Sequence, residues 1–347
     1  ANGVLIVTTK RGKSGKPVIN YNGYAGFRQY TNVPKMKEGD DWVQHAREAY
    51  RAVNNNVYRA DEEIFTDASE LKAVQDHNYF DWLDAGSSNA FMTNHSLSAA
   101  GGTDVVQYSL GGSYTYEDGM VDPQMYERYN IRAAVDVQAM RDVKLGVSTY
   151  ITSSKRDTGN SDLVQELMRM RPTQHPNSLI DGKPIWAYTS NGRYNPLITE
   201  QNELNQTKKL NVLANLYLAV TPLKGLEIKS TYSPYISNQQ VGQYRGRWTN
   251  ARKGSADGAT AWMRKRTDTN WVWDNIASYK WSRDKHTIDA MGAFSMQKNV
   301  EEQVQGNSQY IKYKSLWYNL QGGSTTGLTS YYKQSTLMSY LGPLLGT

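Results

Sequence analysis

The sequence predicts an all-β fold, a partial antiparallel β-barrel of the membrane-spanning kind with about ten strands. Three observations carry this expectation. Long segments alternate apolar and polar residues with a period of two, their connections alternate between short and long, and the aromatic complement is Tyr 25 and Trp 9 against Phe 5.

Each strand is justified by its alternation. In the segment from Tyr126 to Ala139, Tyr129, Ile131, Ala133, Val135 and Val137 share one face while Asn130, Arg132, Asp136 and Gln138 share the other. In the segment from Leu210 to Val220, the even positions are Leu, Val, Ala, Leu, Leu and Val, opposed by Asn211, Asn215 and Tyr217. The other expected pairs are Asn94 to Ala99 with Val105 to Tyr116, Val143 to Thr152 after the Tyr126 strand, Leu226 to Ser237 after the Leu210 strand, and Thr267 to Trp281 with His286 to Gln297. Strands in soluble domains run about 5–6 residues, whereas a membrane barrel strand needs about 9–11. Most of these segments are of the longer sort. Between them AGGT, MRD, TPLKG and SRDK are tight, while Asp157 to Thr207, Asn238 to Arg266 and Lys298 to Ser335 are long, the asymmetry of periplasmic turns and extracellular loops.

The Thr267 segment supplies a length check. Trp271 and Trp281 lie on one face, and ten residues of tilted strand project to about 25 Å, the height of an apolar band between two aromatic girdles. Ahead of these strands, Val18 to Tyr30 alternates as a first barrel strand, Lys37 to Val53 has helical spacing through Trp42, Val43, Ala46, Ala49 and Tyr50, and Asp61 to His77 holds one or two further short helices.

Composition agrees and excludes much. No apolar run approaches the ~20 residues of a spanning helix, and mean hydropathy is -0.68. A barrel escapes that test because only every second residue faces lipid. The chain has Cys 0, which removes disulfides and thiolate chemistry. A net charge of +6 and the run Lys10, Arg11, Lys13, Lys16 invite a nucleic-acid reading, but no helix or RNA-binding motif accompanies the run. The triplet GKS at 12–14 is not a phosphate loop, because Val7 stands where that motif requires Gly. His45, His77, His95, His175 and His286 fall singly in different elements, with no metal-ligand spacing, so no metal, cofactor or catalytic group is expected and the chain reads as a non-enzyme. Asp40 with Asp41 and Glu62 with Glu63 sit at helix starts, where they complement the helix dipole. The aromatics suited to a ligand are in the long connections: Trp186, Tyr188 and Tyr194 among Gly, Asn and Pro, and Tyr244, Arg245, Arg247 and Trp248 in the next one. Beside Arg and Asn, such rings stack on sugars or hold peptides; the bland alternative is that they pack on each other.

The opening ANGVLIVTTKRGKSGK closely resembles the end of the plug domain in SusC/RagA-type TonB-dependent outer-membrane transporters. Asn94, His95, Ser96 and Leu97 followed by Gly101, Gly102 and Thr103 resemble the stretch that opens the family's barrel, and Tyr108 to Leu110 and Tyr129 to Arg132 resemble strands that follow it. The resemblance implies residues 1–10 as the end of a plug domain, 11–17 as a linker and 18–347 as the N-terminal portion of a barrel, with the helices in one extracellular loop. About ten strands would be less than half of the 22 that accompany a plug. An upstream part with the signal peptide and TonB contact is expected, and the ending GPLLGT reads as an interrupted terminus rather than a strand. The resemblance further implies uptake of a large nutrient, an oligosaccharide or peptide, across the outer membrane, with a SusD-like surface lipoprotein and a TonB complex as partners. Two alternatives are a soluble carbohydrate-binding β-protein, which leaves the alternating connections unexplained, and an outer-membrane barrel enzyme, for which no convergent acid, base or nucleophile is visible.

Overall fold

A computed structural model of the chain describes residues 12–176, 179–180, 183–184, 187–188, 191–283 and 286–346. The segment expected to end a plug domain, residues 1–10, and Trp186 lie outside the described residues.

Ten strands form one antiparallel sheet in sequence order. They are β1 (Gly15–Arg28), β2 (Ala90–Gly102), β3 (Val106–Asp118), β4 (Met125–Met140) and β5 (Val143–Asp157), then, after two small hairpins, β10 (Glu203–Leu223), β11 (Leu226–Arg245), β12 (Thr260–Arg283), β13 (His286–Gln309) and β14 (Ser324–Gly346). The hairpins are β6 (Leu179–Ile180) with β7 (Lys183–Pro184), and β8 (Ala187–Tyr188) with β9 (Arg193–Tyr194). At one end of the sheet the connections are 103–105, 141–142, 224–225 and 284–285; at the other they are 29–89, 119–124, 158–202, 246–259 and 310–323. The alternation expected from sequence holds throughout.

The long-loop end carries the helices: α1 (Gly39–Val53), α2 (Asp61–Ile64), α3 (Ala68–Gln75) and α4 (Trp82–Ala85) within 29–89, and α5 (Leu163–Met168) and α6 (Pro196–Asn202) within 158–202. The α-helices thus occupy two loops rather than one, and short 3-10 helices at Lys314–Leu316 and Leu320–Gly322 occupy a third. Asp40 and Asp41 stand in the first turn of α1, as their charge suggests, and the Asp67 side chain caps α3 by accepting from the Ser69 and Glu70 amides.

Several strands run further than their apolar alternation. β10, β11, β12 and β13 are 21, 20, 24 and 24 residues long, about twice what a bilayer requires. Tyr244 and Arg245 therefore end β11 instead of joining Trp248 in a loop. The ending GPLLG is also strand: β14 continues to Gly346 on β13, with a register shift between Met291 and Ala293 opposite Gly342 and Pro343. A proline that cannot donate to the ladder is tolerated at such a bulge on an edge strand. β1 begins at Gly15, before the expected Val18, with its own register shift spanning Pro17.

Apart from Tyr217 within the sheet, the buried apolar residues lie toward the long-loop end, most of them in three clusters. One joins Val43, Phe65 and Val74; a second joins Trp82, Val121, Leu163, Leu167, Met170 and Tyr188 from three different loops; a third joins Tyr244, Ala259, Ala261 and Ile311. The middle of the sheet is built the opposite way. Ile131 is 57% exposed and its neighbour Asn130 is buried.

Candidate functional site at the long-loop end

Cross-strand partners point to the same side of a sheet, so the register sorts side chains into rows. One row is Asn22, Ser96, Ser113, Asn130, Thr152, Asn211, Ser237, Asp268, Glu301 and Lys333, polar on all ten strands. A row on the opposite face is Tyr108, Val135, Val147, Leu216, Tyr232, Trp273, Met296 and Met338, apolar or aromatic throughout. Val147, Leu216, Tyr232, Trp273 and Met338 are all exposed. In water such a surface costs about 25 cal/mol for each Å² left uncovered, and a continuous apolar belt on a long-stranded sheet is what lipid covers. The same belt disfavours a soluble sugar-binding β-protein.

The polar face is knitted across strands. Asn130 donates to the Ser113 hydroxyl at 2.9 Å and accepts from Thr152 and Tyr150 at 3.0 Å each. Tyr217 reaches past an intervening strand to Asp136, oxygen to oxygen 2.5 Å. The residue between them in the ladder is Gly146, where a Cβ would lie 2.5 Å from Asp136 Oδ1 and 2.4 Å from the Tyr217 ring. A hydrogen atom in place of a side chain is what lets that bond form.

Above this wall the loops lock together. The buried Glu70 carboxylate of α3 accepts from Gln174 at 2.9 Å and from Thr173 and Arg171 at 3.2 Å each, tying the first long loop to the second. Trp82 stacks edge-on against Tyr188 and donates its indole N–H to the Arg171 carbonyl at 3.0 Å. Glu200 in α6 has its carboxyl pushed up to about 7, because burial removes water from the anion and Asp122 adds negative charge nearby.

The expected ligand aromatics divide. Tyr188 is buried, donates to the His175 carbonyl at 2.8 Å, and has its phenol pushed up chiefly by that burial; it is a packing residue, not a solvent-facing one. Tyr244 is also buried, edge-on to Trp317, because 310–323 folds over the belt side of the strand ends. Arg245, next in sequence, points to the polar face, where a cavity of about 540 Å³ is lined by Gln243, Arg245, Trp262 and Asn307. Tyr194 and Trp248 converge from two loops on Gly254, whose Cβ position is 2.8 Å from the Trp248 ring and 3.4 Å from the Tyr194 hydroxyl. Arg247 covers Trp248 at 4.9 Å, and Trp248 remains 41% exposed. Trp262 and Arg264, stacked at 5.7 Å, were missed by sequence reasoning. Continuing the period of two upward from Trp271 places them on the polar face and was the available signal. Among the described residues no group of three His, Asp or Glu is arranged to hold a metal, and no helix is long and apolar enough to cross a membrane.

No protein-family model matches the chain. It is 26% identical over 364 residues to TonB-dependent receptor P3 of Formosa agariphila, covering 99% of this chain and 33% of that protein. Over 214 residues it is 26% identical to the TonB-dependent receptor SusC of Bacteroides thetaiotaomicron, covering 55% of this chain and 19% of that one. Among solved structures the RagAB peptide transporter superposes with a TM-score of 0.77 at 19% identity, over 96% of this chain and 41% of that one. The chain thus spans about a third of the length of the Formosa relatives it matches. With an apolar row and a polar row running across its antiparallel strands, the chain is similar in sequence to the TonB-dependent receptors, SusC among them, and has the fold of part of the RagAB transporter.

Proposed function

We propose that the chain takes part in TonB-dependent uptake of a large nutrient, an oligosaccharide or peptide, across the outer membrane. The observation that carries this is the separation of an unbroken apolar row from an unbroken polar row across the sheet, with every long loop at one end. The polar wall lines the passage, and the long loops form its extracellular mouth. Residues 1–10 end the plug, 11–17 link it to the barrel, and 18–347 supply the barrel's first part. Arg245 beneath the mouth and Tyr194 with Trp248 above it contact the ligand. A SusD-like lipoprotein caps the loops, and a TonB complex acts on the plug. The likeness to TonB-dependent receptors, SusC among them, supports the uptake, and the shared fold of the RagAB peptide transporter agrees with a peptide as one of the two ligand classes.

Two measurements test this. A strain lacking the gene should lose growth on one class of oligosaccharide or oligopeptide too large for porins, and the wild type should lose it when TonB is inactivated; unchanged growth on every mixture in both strains overturns uptake. A spin label at position 135 should respond to quenchers carried on acyl chains, and one at 136 to aqueous quenchers. If both answer only to aqueous quenchers, the soluble β-protein becomes the better reading.

A further inference from the structure

On the outward face of β4, β5, β10, β11 and β12, no charged side chain interrupts the apolar belt. The first charges appear together, in the row just above it toward the long loops: Glu127, Lys155, Lys208, Gln240 and Lys265 are consecutive cross-strand partners. Three of the five are lysines. Lys155 and Lys208 stand directly opposite each other, a placement that costs stability in an antiparallel pair. Only Lys155 has an ion-pair partner on the strand, Asp157 at 3.2 Å, while Lys208 and Lys265 are exposed and make no ion pair among the described residues. A shallow cleft of about 520 Å³ with Tyr129 and Leu210 at its apolar edge lies along this row.

From this geometry we infer a binding site for a phosphorylated glycolipid of the outer leaflet, its acyl chains on the apolar belt and its phosphate between Lys208 and Lys265. The inference rests on the outer-membrane reading above. Two strand spacings separate these lysines, about 10 Å, and each flexible stem is long enough to bring its ammonium to one shared phosphate. Drawing Lys208 toward Lys265 also takes its charge away from Lys155, which keeps Asp157 as its own partner. Charge on the outward face has no aqueous lumen to face and no substrate to meet. Headgroups are the anions that exist at that height, just past the apolar band.

Lys209 provides the control, because it is adjacent in sequence, carries the same charge and points to the polar face. The protein as the cell makes it, extracted from the outer membrane in mild detergent, is loaded with bis-phosphorylated or dephosphorylated lipid A. Retained lipid is counted by native mass spectrometry. Wild type and Lys209→Gln should retain the phosphorylated form equally, and the Lys208→Gln, Lys265→Gln double variant should bind it about 30-fold more weakly, the effect of two lysines at an anionic surface. Equal retention by all three, or equal retention of dephosphorylated lipid, overturns the site. Full displacement by inorganic phosphate makes it a free-anion site and overturns the lipid assignment. Loss in Lys209→Gln instead, or a protein recovered without detergent, refutes the barrel reading itself.

Discussion

At position 146 there is no room for a methyl group, and the reason lies two strands apart. Tyr217 must cross β5 to reach Asp136, and an added Cβ would press on both at 2.4–2.5 Å. Gly146→Ala should therefore cost about 1–3 kcal/mol, the range for overpacking a tight site. Gly112 is a glycine on the opposite face whose Cβ position meets only the Asn130 carbonyl at 3.7 Å. Gly112→Ala should stay within about 0.5 kcal/mol. Urea unfolding in detergent micelles compares the two; equal costs would show that the Tyr217–Asp136 bond does not depend on the glycine. The same parity makes neighbours such as Tyr244 and Arg245 serve different ends, one packed under a loop and one lining the cavity on the polar face.

At the scale of elements, the second long loop holds an acid whose charge the fold resists. Glu200 in α6 is raised to about 7 from an ordinary value near 4.5. The folded loop thus binds a proton that the unfolded one has released between those values, and its stability falls as pH rises through that window. Amide exchange in α6 should be slowest near pH 5 and, after correction for intrinsic rates, faster by pH 8. Glu203 at the C-cap of α6 is pushed up to about 7 by its own burial and acts in the same direction. Glu200→Gln should therefore weaken that dependence and the Glu200→Gln, Glu203→Gln double variant flatten it; a double variant as pH-sensitive as wild type would assign it to another group. Which elements were legible in the sequence follows from what surrounds them. Where lipid meets a strand the outward residues must be apolar, so Tyr129 to Val137 and Leu210 to Val220 could be read directly from their period. Above the membrane that demand ends. Lys208, Gln240 and Lys265 occupy outward positions there, the alternation dissolves, and the upper parts of β10, β11, β12 and β13 read as loops although their ladders continue. Tyr188 was misread for a related reason: its burial depends on Trp82, more than a hundred residues away, and no local pattern records that contact.

At the scale of the whole molecule the sheet is open. β1 pairs only with β2 and β14 only with β13, so each leaves a row of backbone donors and acceptors at an edge among the described residues. Outward side chains on both strands are apolar and exposed, Ile19 and Phe27 on β1, Leu328 and Tyr340 on β14. In hydrocarbon each unpaired backbone group costs several kcal/mol, so such edges are not left facing lipid. Nor does the curvature favour closing on themselves. The sheet superposes on a structure of which it covers 41%, so its arc belongs to a larger circle, and strands β1 and β14 would have to tighten that arc greatly to meet. Tightening would also crowd the polar face, where Asp136, Tyr217 and Asn130 already fill the space between strands. The 347-residue chain refolded alone in detergent should therefore give no compact band whose gel migration changes on heating. Its edges should instead drive association, seen as oligomers whose size grows with concentration. A monodisperse, heat-modifiable monomer from this chain by itself would mean that ten strands can close, and that the curvature seen in the sheet is not the one the membrane imposes.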